Sequence, residues 1–305
     1  MGEGRTLIAV VVACAWCVLC SAPIGAADRW STLADTVSAE NIRRHTVILG
    51  GDALEGRAPG SRGGGLAAGY LAAELEKLGI EPFGDDGSYF QQVPLVGSTP
   101  LLGSRLTVSA FGEHRTLTLS EDYLLHTTGA QTWLPRPTPM VFVGYGIVAP
   151  EFDYSDYADV EVRGKVAVFL AGEPASDDPD YFAGAEPTVY SAVESKVRIA
   201  LSRGAVASVL IPAGAEEGGD GWARLQREYA FEHLGLASSV PSHLAVLLHP
   251  RVARTLFADA LFDFDRVLSM ERRQVLRSFH LPASLSFEGD FRVRSFLAAN
   301  VIGRI

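Results

Sequence analysis

The chain has 305 residues, a formal net charge of −10, 48% hydrophobic residues and 20% charged residues. The length suits about two domains, and the composition is that of a globular protein with a sizeable core. The acidic balance argues against nucleic acid or an anionic membrane surface as a partner, because both need Lys/Arg patches to displace counterions.

The N-terminus reads as a secretory signal peptide over residues 1–27. Arg5 precedes an apolar run from Leu7 to Leu19, and small residues follow at Gly25-Ala26-Ala27. The run is too short for a comfortable membrane span, and no later stretch approaches about 20 apolar residues. After signal removal no stable span is expected, and the protein is expected to be exported, periplasmic or extracellular. Cys14, Cys17 and Cys20 all lie in the signal segment. The exported chain then has no cysteine for a disulfide, a thiolate nucleophile or a Cys-based zinc site.

Ser38 reads as an N-cap, with a helix to about Leu49 ended by Gly50-Gly51. The loop DALEGRAPGSRGGG, Asp52 to Gly65, follows. From Leu66 to Leu78 the pattern is helical, with Ala67, Tyr70, Leu71, Leu75 and Leu78 on one stripe, and Gly79 ends it. Strands are expected at Tyr89–Val96, Arg105–Phe111 and Thr116–Leu119, with a turn at Gly112-Glu113. Thr132–Pro139, TWLPRPTP, holds three prolines and predicts an extended linker at a domain boundary. A strand at Met140–Val143 then breaks at Gly144-Tyr145-Gly146. Lys165–Leu170 and Ala207–Ile211 read as buried strands joined by a helix with Val193, Val197, Ala200 and Leu201 on one face. Such a crossover is expected to be right-handed, with the strands parallel. Gly214–Gly221 reads as an acidic surface loop. Pro241–Leu248 is expected as a strand, Pro250–Ala260 as a helix, and Ala283–Glu288 and Phe291–Ile302 as strands turning at Gly289-Asp290. The chain stops inside that last β run, so its final element is expected to be unfinished. Tyr89–Leu119 and Ala283–Ile305 are accordingly expected to lack neighbouring strands.

The motifs of zinc proteases, serine hydrolases, P-loops and dinucleotide folds are missing. The seven histidines, His45, His114, His126, His233, His243, His249 and His280, show no ligand spacing. Glu216-Glu217 sits among glycines in the acidic loop. The glycines of LEGRAPGSRGGG offer backbone N–H groups ahead of a helix, yet the loop has no Lys-Ser/Thr of a P-loop. Residue chemistry alone therefore leaves a secreted, non-enzymatic binding protein open as the alternative to an enzyme.

The order of motifs narrows the choice. LEGRAPGSRGG followed by a helix ending LEKLGIEPFGDDGSYFQQVPL resembles the N-terminal part of the secreted di-zinc aminopeptidases of metallopeptidase family twenty-eight. VFVGYGIVAPEFDYSDYADVEVRGKVAVFLAG, then ESKVRIALSRGAVASVLI, resembles the protease-associated domain that many members carry as an insertion. AANVIGRI, Ala298 to Ile305, is similar to the strand that re-enters their catalytic domain. The resemblance implies an α/β fold: an incomplete N-terminal part of a zinc-peptidase domain at 28–131, a β-rich α/β protease-associated insertion at 132–282, and a truncated re-entry at 283–305. It implies hydrolysis of peptides or proteins from their N-terminus with two zinc ions in the full-length family. The family's zinc ligands and general base follow the re-entry strand, so carry-over assigns no catalytic and no metal residue to this chain, which is expected to be inactive alone. What carries over is the catalytic-domain loop with Glu55, Arg57, Gly60 and Ser61. Arg57 either lines the active site or ties the loop to acceptor carbonyls, the second being the simpler role. The inserted module holds no nucleophile–base–orienter set, which suits a binding, lid or gating role.

Overall fold

The computed structural model describes residues 37–110, 112–127, 132–184, 186–212, 221–239 and 243–305. The signal-peptide reading, the three cysteines and Glu216-Glu217 lie outside them. In chain order the elements are α1 (Ala39–Leu49), α2 (Arg62–Lys77), β1 (Glu81–Pro82), β2 (Phe90–Pro100), β3 (Arg105–Ala110), β4 (Glu113–Leu117), β5 (Tyr123–Thr127), β6 (Trp133–Phe142), β7 (Val148–Ala149), β8 (Tyr154–Ser155) and β9 (Val166–Leu170). They continue as α3 (Val193–Ser202), β10 (Ala207–Ile211), α4 (Gly221–Glu228), β11 (His233–Leu236), β12 (Leu244–Leu248), α5 (Pro250–Phe257), α6 (Phe264–Arg272), β13 (Phe279–Glu288), β14 (Phe291–Val301) and β15 (Gly303–Arg304). The fold is mixed α/β.

Two compact units result, one of residues up to Gln92 with Ala298–Ile305, the other of Val93–Leu297. The first joins segments far apart in sequence. β15 runs antiparallel to β1, Arg304 opposite Glu81 and Gly303 opposite Pro82. Ile302 N–H donates to Tyr89 O at 2.8 Å and Phe83 N–H to Ile302 O at 3.2 Å. A Cβ at Gly303 would stand 2.5 Å from Ile80 Cγ2, so glycine lets the strand close on α2's exit. Ser38 caps α1, its hydroxyl accepting from Asn41 N–H. α1 buries no residue, and α2 buries Gly63, Ala67 and Ala72. The predicted Leu71–Leu78 stripe is therefore not a core face: Leu71 is 42% and Leu78 73% exposed. Small residues, not the leucines, face the loop before α2.

The second unit is built on an eight-stranded sheet in the order β4-β3-β13-β6-β9-β10-β12-β5. β6, β9, β10 and β12 run parallel, while β5 and the strands beyond β6 pair antiparallel. A flat sheet of eight strands is roughly 34 Å wide. Yet β4 ends at Leu117 and β5, at the opposite edge, starts at Tyr123; a link that short reaches at most about 20 Å. The sheet must roll so that its first and last strands approach. Tyr123, fully buried, donates its hydroxyl to Ser104 O across the roll.

Alternation along the strands sorts two cores. Val166, Val168 and Leu170 of β9, with Val209 and Ile211 of β10, face the inside, together with Phe142, Phe257, Phe264 and Phe287. Ala167 and Phe169 face outward onto Val197 and Ala200 of α3 and Trp222 of α4. β9, β10 and β12 are buried along their whole length, as parallel strands covered on both faces should be. Each large apolar side chain contributes about 1.5–3 kcal/mol.

Two expectations change. Thr132–Pro139 is no linker, since Trp133–Pro139 run within β6 opposite β13. The compact units themselves divide inside β2 and β14. Tyr89–Leu119 and Ala283–Ile305 do not lack partners: β13 pairs with β3 from Ala283 opposite Ala110 to Glu288 opposite Arg105. The physical reason is long-range pairing, invisible in a local reading of either segment.

Candidate functional site

The loop carrying Glu55, Arg57, Gly60 and Ser61 is held by its ends. Leu54 is buried, and its carbonyl oxygen lies 1.7 Å from where a Cβ on Gly63 would stand. Ser61 caps α2, its hydroxyl accepting from Gly64 N–H at 3.0 Å and donating to Ala58 O at 2.7 Å. Between these anchors Glu55, Gly56 and Arg57 take φ of 50°, 76° and 59° in succession, and Gly60 takes 70°. A left-handed backbone costs a non-glycine residue roughly 1–2 kcal/mol. The Glu55–Arg62 ion pair, at 3.7 Å with both side chains mostly exposed, is too weak to offset two such residues. Leu54 burial and the Ser61 cap hold the turn.

Glu55, Arg57 and Gly60 are exposed and Ser61 half-buried. The fold thus gathers all four on one strained turn. Arg57 stands exposed at the end of that turn. His45, whose Nδ1 shares a hydrogen bond with Tyr70 OH at 2.7 Å, lies in the same unit.

A second constellation lies in the other unit, under the Gly144-Tyr145-Gly146 break. Asp156 accepts from Tyr145 N–H at 3.1 Å, Ile147 N–H at 2.9 Å and Tyr154 OH at 2.9 Å. Gly144 and Gly146 have φ of 51° and 73°; a Cβ on the first would meet Asp156 Oδ1 at 2.2 Å and on the second Phe169 at 3.0 Å. Both glycines are thus required by conformation and by space. Lys196, fully buried on α3, donates from Nζ to Tyr145 O at 2.7 Å and Gly172 O at 2.5 Å. Burial pushes the Asp156 carboxyl up to about 6, against the pull of its hydrogen bonds and of Lys196. Burial also lowers the Lys196 ammonium to about 8, with Asp156 and Glu173 opposing. Gly172 and Glu173 border an open cleft of about 560 Å³, with Asp177 and Glu186 also on its wall.

The third constellation gathers residues no local pattern connects. His126 Nδ1 shares a hydrogen bond with Tyr229 OH at 3.0 Å, and its Nε2 lies 3.5 Å from Glu194 Oε1. The His233 ring is 6.2 Å from that of Tyr229. His243 Nε2 is buried with no hydrogen-bond partner among the described residues. Burial lowers all three imidazoles. The Tyr–His–Glu line has relay geometry, but burial pushes the Tyr229 hydroxyl up to about 12, away from a nucleophile's needs. Sequence reasoning missed this cluster, whose members come from β5, α3, β11 and the positions just after α4 and just before β12; no spacing signals it.

Among the described residues no group of three or more His, Cys, Asp and Glu is placed to hold a metal ion. The described side chains do not fit a zinc pair. No family model matches the sequence. No curated protein matches it either. Among solved structures, an aminopeptidase from Aneurinibacillus sp. strain AM-1 is similar with a TM-score of 0.39 and 16% identity, over 87% of this chain and 47% of its own. The zinc aminopeptidase BSAP from Bacillus subtilis follows with a TM-score of 0.30 and 14% identity, over 85% and 46%. A subtilisin-like protease, Apa1, from the Antarctic psychrotroph Pseudoalteromonas sp. AS-11 gives 0.26 and 11%, over 66% and 37%. This chain spans less than half the length of each. Superpositions of that quality leave the fold to rest on the sheet order above. Among the described residues no helix is long and apolar enough to cross a membrane.

Proposed function

We propose that this chain is part of an exported zinc-dependent aminopeptidase-like protein. Residues up to Gln92 and Ala298–Ile305 belong to its peptidase domain, and Val93–Leu297 form an accessory domain of the protease-associated kind inserted into it. The observation that carries the reading is the nesting: β1 and β15 pair within one compact unit, and Val93–Leu297 between them form another. That is the order in which the host and inserted motifs occur. The strained Glu55–Arg57 turn belongs to the peptidase domain, where backbone strain of this kind is characteristic of functional loops. Among the described residues of the accessory unit, Ser109 Oγ meets His114 Nδ1 at 2.7 Å on the exposed edge of the sheet, with no carboxylate shown orienting that ring, and we assign the unit binding or gating.

Peptides are the substrate class, attacked from the N-terminus, and two zinc ions are the cofactor of the whole protein. In this reading their ligands belong to the part of the whole protein that follows the Ala298–Ile305 strand. The 305-residue chain alone is then inactive. Metal analysis after incubation with zinc, with an aminoacyl anilide as substrate, tests this: trace zinc and no turnover are expected, and stoichiometric zinc with hydrolysis overturns the inactivity. Transcript sequence downstream of the Ile305 codon tests the family: an open frame without a His-x-Asp motif in the next few tens of residues overturns it.

A further inference from the structure

We propose that Phe182 plugs a binding site for an aromatic side chain of a peptide, and that the strained segment carrying it swings aside when such a side chain enters. Phe182 lies in the connection between β9 and α3 and is fully buried. Its ring stands 4.5 Å from that of Phe152, 4.9 Å from Tyr181, 5.5 Å from Tyr154 and 5.8 Å from Tyr190, centroid to centroid. The three tyrosine contacts are edge-on, a geometry in which aromatic rings attract. The site is a cage shaped around one benzyl group. Each of the four wall residues is half-buried, so the cage lies against the surface.

Walls and plug are held differently. Tyr154 donates its hydroxyl to Asp156 at 2.9 Å, and Tyr190 donates to Glu151 at 2.6 Å. Phe152 stands in the turn between β7 and β8, closed by Asp153 N–H on Pro150 O at 3.1 Å and by the pairing of Ala149 with Tyr154. None of these anchors uses Phe182. The plug's own segment is strained: Phe182, Ala183 and Gly184 take φ of 48°, 54° and 64° in succession. A bulky residue in that region is an outlier, kept there only by what surrounds it. Tyr181 N–H donates to Asp178 O, Gly184 N–H to Tyr181 O and Glu186 N–H to Ala183 O, so these backbone bonds close on the segment itself. Gly184 lines the same cleft of about 560 Å³ as Gly172 and Glu173, which leaves open space beside the segment. Burial of the Phe182 ring is thus what offsets the strain. A peptide that brings its own aromatic ring supplies the burial without the strained turn, and competes with the plug. The present occupant, a benzyl group on a peptide backbone, sets the class of ligand that fits. The inference rests on the binding role assigned to the Val93–Leu297 unit and needs neither zinc nor hydrolysis, so a failed peptidase assay leaves it standing.

Titration calorimetry of the full chain with N-acetyl-L-phenylalaninamide tests this, with N-acetyl-L-leucinamide as control. The wild type is expected to bind the aromatic amide with a Kd on the order of a millimolar, and the leucine amide at least about fivefold more weakly. Apparent affinity scales with the open fraction, so Phe182→Ala, which empties the cage, is expected to tighten binding about tenfold or more. Adding Phe152→Ala to that variant is expected to abolish the gain. Ala183→Gly keeps every ring and removes the strain of a Cβ at φ 54°, which favours the plugged state; it is expected to weaken binding about threefold. If Phe182→Ala does not melt cooperatively, the Ala183→Gly result decides alone. No binding of the aromatic amide by the wild type, equal affinity for both amides, equal affinity in wild type and Ala183→Gly, or no gain in a folded Phe182→Ala each overturn the proposal.

Discussion

At the scale of single residues, glycines and buried charges give opposite lessons within short distances. Gly63 and Gly69 both lie in α2, and helix propensity favours alanine at either by about 1 kcal/mol. Space decides otherwise: a Cβ on Gly63 would stand 1.7 Å from Leu54 O, whereas nothing lies within 4 Å of one on Gly69. We expect Gly63→Ala to destabilise the Leu54–Ser61 turn by about 1–3 kcal/mol and Gly69→Ala to stabilise by about 0.5–1 kcal/mol, read from denaturant midpoints. A matching shift in both variants would contradict the close approach. Asp156 supplies a pH test. Its folded carboxyl titrates at about 6 against an ordinary 3.8, so its contribution to stability is full below the ordinary value and is lost as pH rises through about 6. Asparagine can turn its carbonyl to Tyr145 and Ile147 N–H and its amide to Tyr154 OH. The difference between wild type and Asp156→Asn should therefore move in favour of the variant by on the order of 2–3 kcal/mol between about pH 4 and about pH 7. A flat difference curve would remove the buried-charge account.

At the scale of elements, what could be read from the sequence was whatever declares itself locally. Ser38 and Ser61 cap helices, Gly79 and Gly204 end them with positive φ, and the apolar runs of β9 and β10 are buried over all their residues. Trp133–Pro139 shows why the rest was hidden, since three prolines signal a linker unless the partner strand is known. Val143 N–H points to β9, bonding Val168 O. The two-residue period carries that side back to Pro139, and β9 reaches no further than Met140. Pro135 and Pro137 fall between Leu134 and Thr138, where the register with β13 shifts and neither pairs with a β13 residue. The missing donors thus weaken no ladder, and the prolines deny pairing to another chain. Pro137→Thr restores one donor there. We expect a stability change of no more than about 1 kcal/mol together with increased self-association by light scattering. A large loss of stability would mean the proline is needed inside the fold. The strained turn was legible as a glycine-rich loop but not as a strained one, because φ at Glu55 and Arg57 depends on where Gly63 lets Leu54 approach. The histidine cluster, assembled by sheet order, was not legible at all.

At the scale of the whole molecule, the two units differ in what could keep each folded. The described part of the first buries Leu54, Gly63, Ala67 and Ala72, while Ile42, Val47, Ile48, Leu71 and Leu78 stay exposed at 41% or more. Residue burial of that kind stabilises by only a few kcal/mol, which the entropy of ordering the segment readily matches. The second unit has two cores, one inside the rolled sheet and one beneath α3 and α4, with Phe142, Phe169, Phe182, Phe257, Phe264 and Phe287 fully buried. Its ordering cost is met internally, as an independently folding domain requires. A polypeptide of residues 93–297 is therefore expected to melt in one cooperative transition, within a few degrees of the main transition of the full chain and with most of its calorimetric enthalpy. The full chain should in addition show a weaker, lower transition and bind a hydrophobic dye below it, since the apolar side chains of the first unit are open to solvent. Zinc should move neither transition, because the described residues offer it no site. If residues 93–297 fail to melt cooperatively, the unit depends on the segments around it, and its reading as an inserted domain falls with that result.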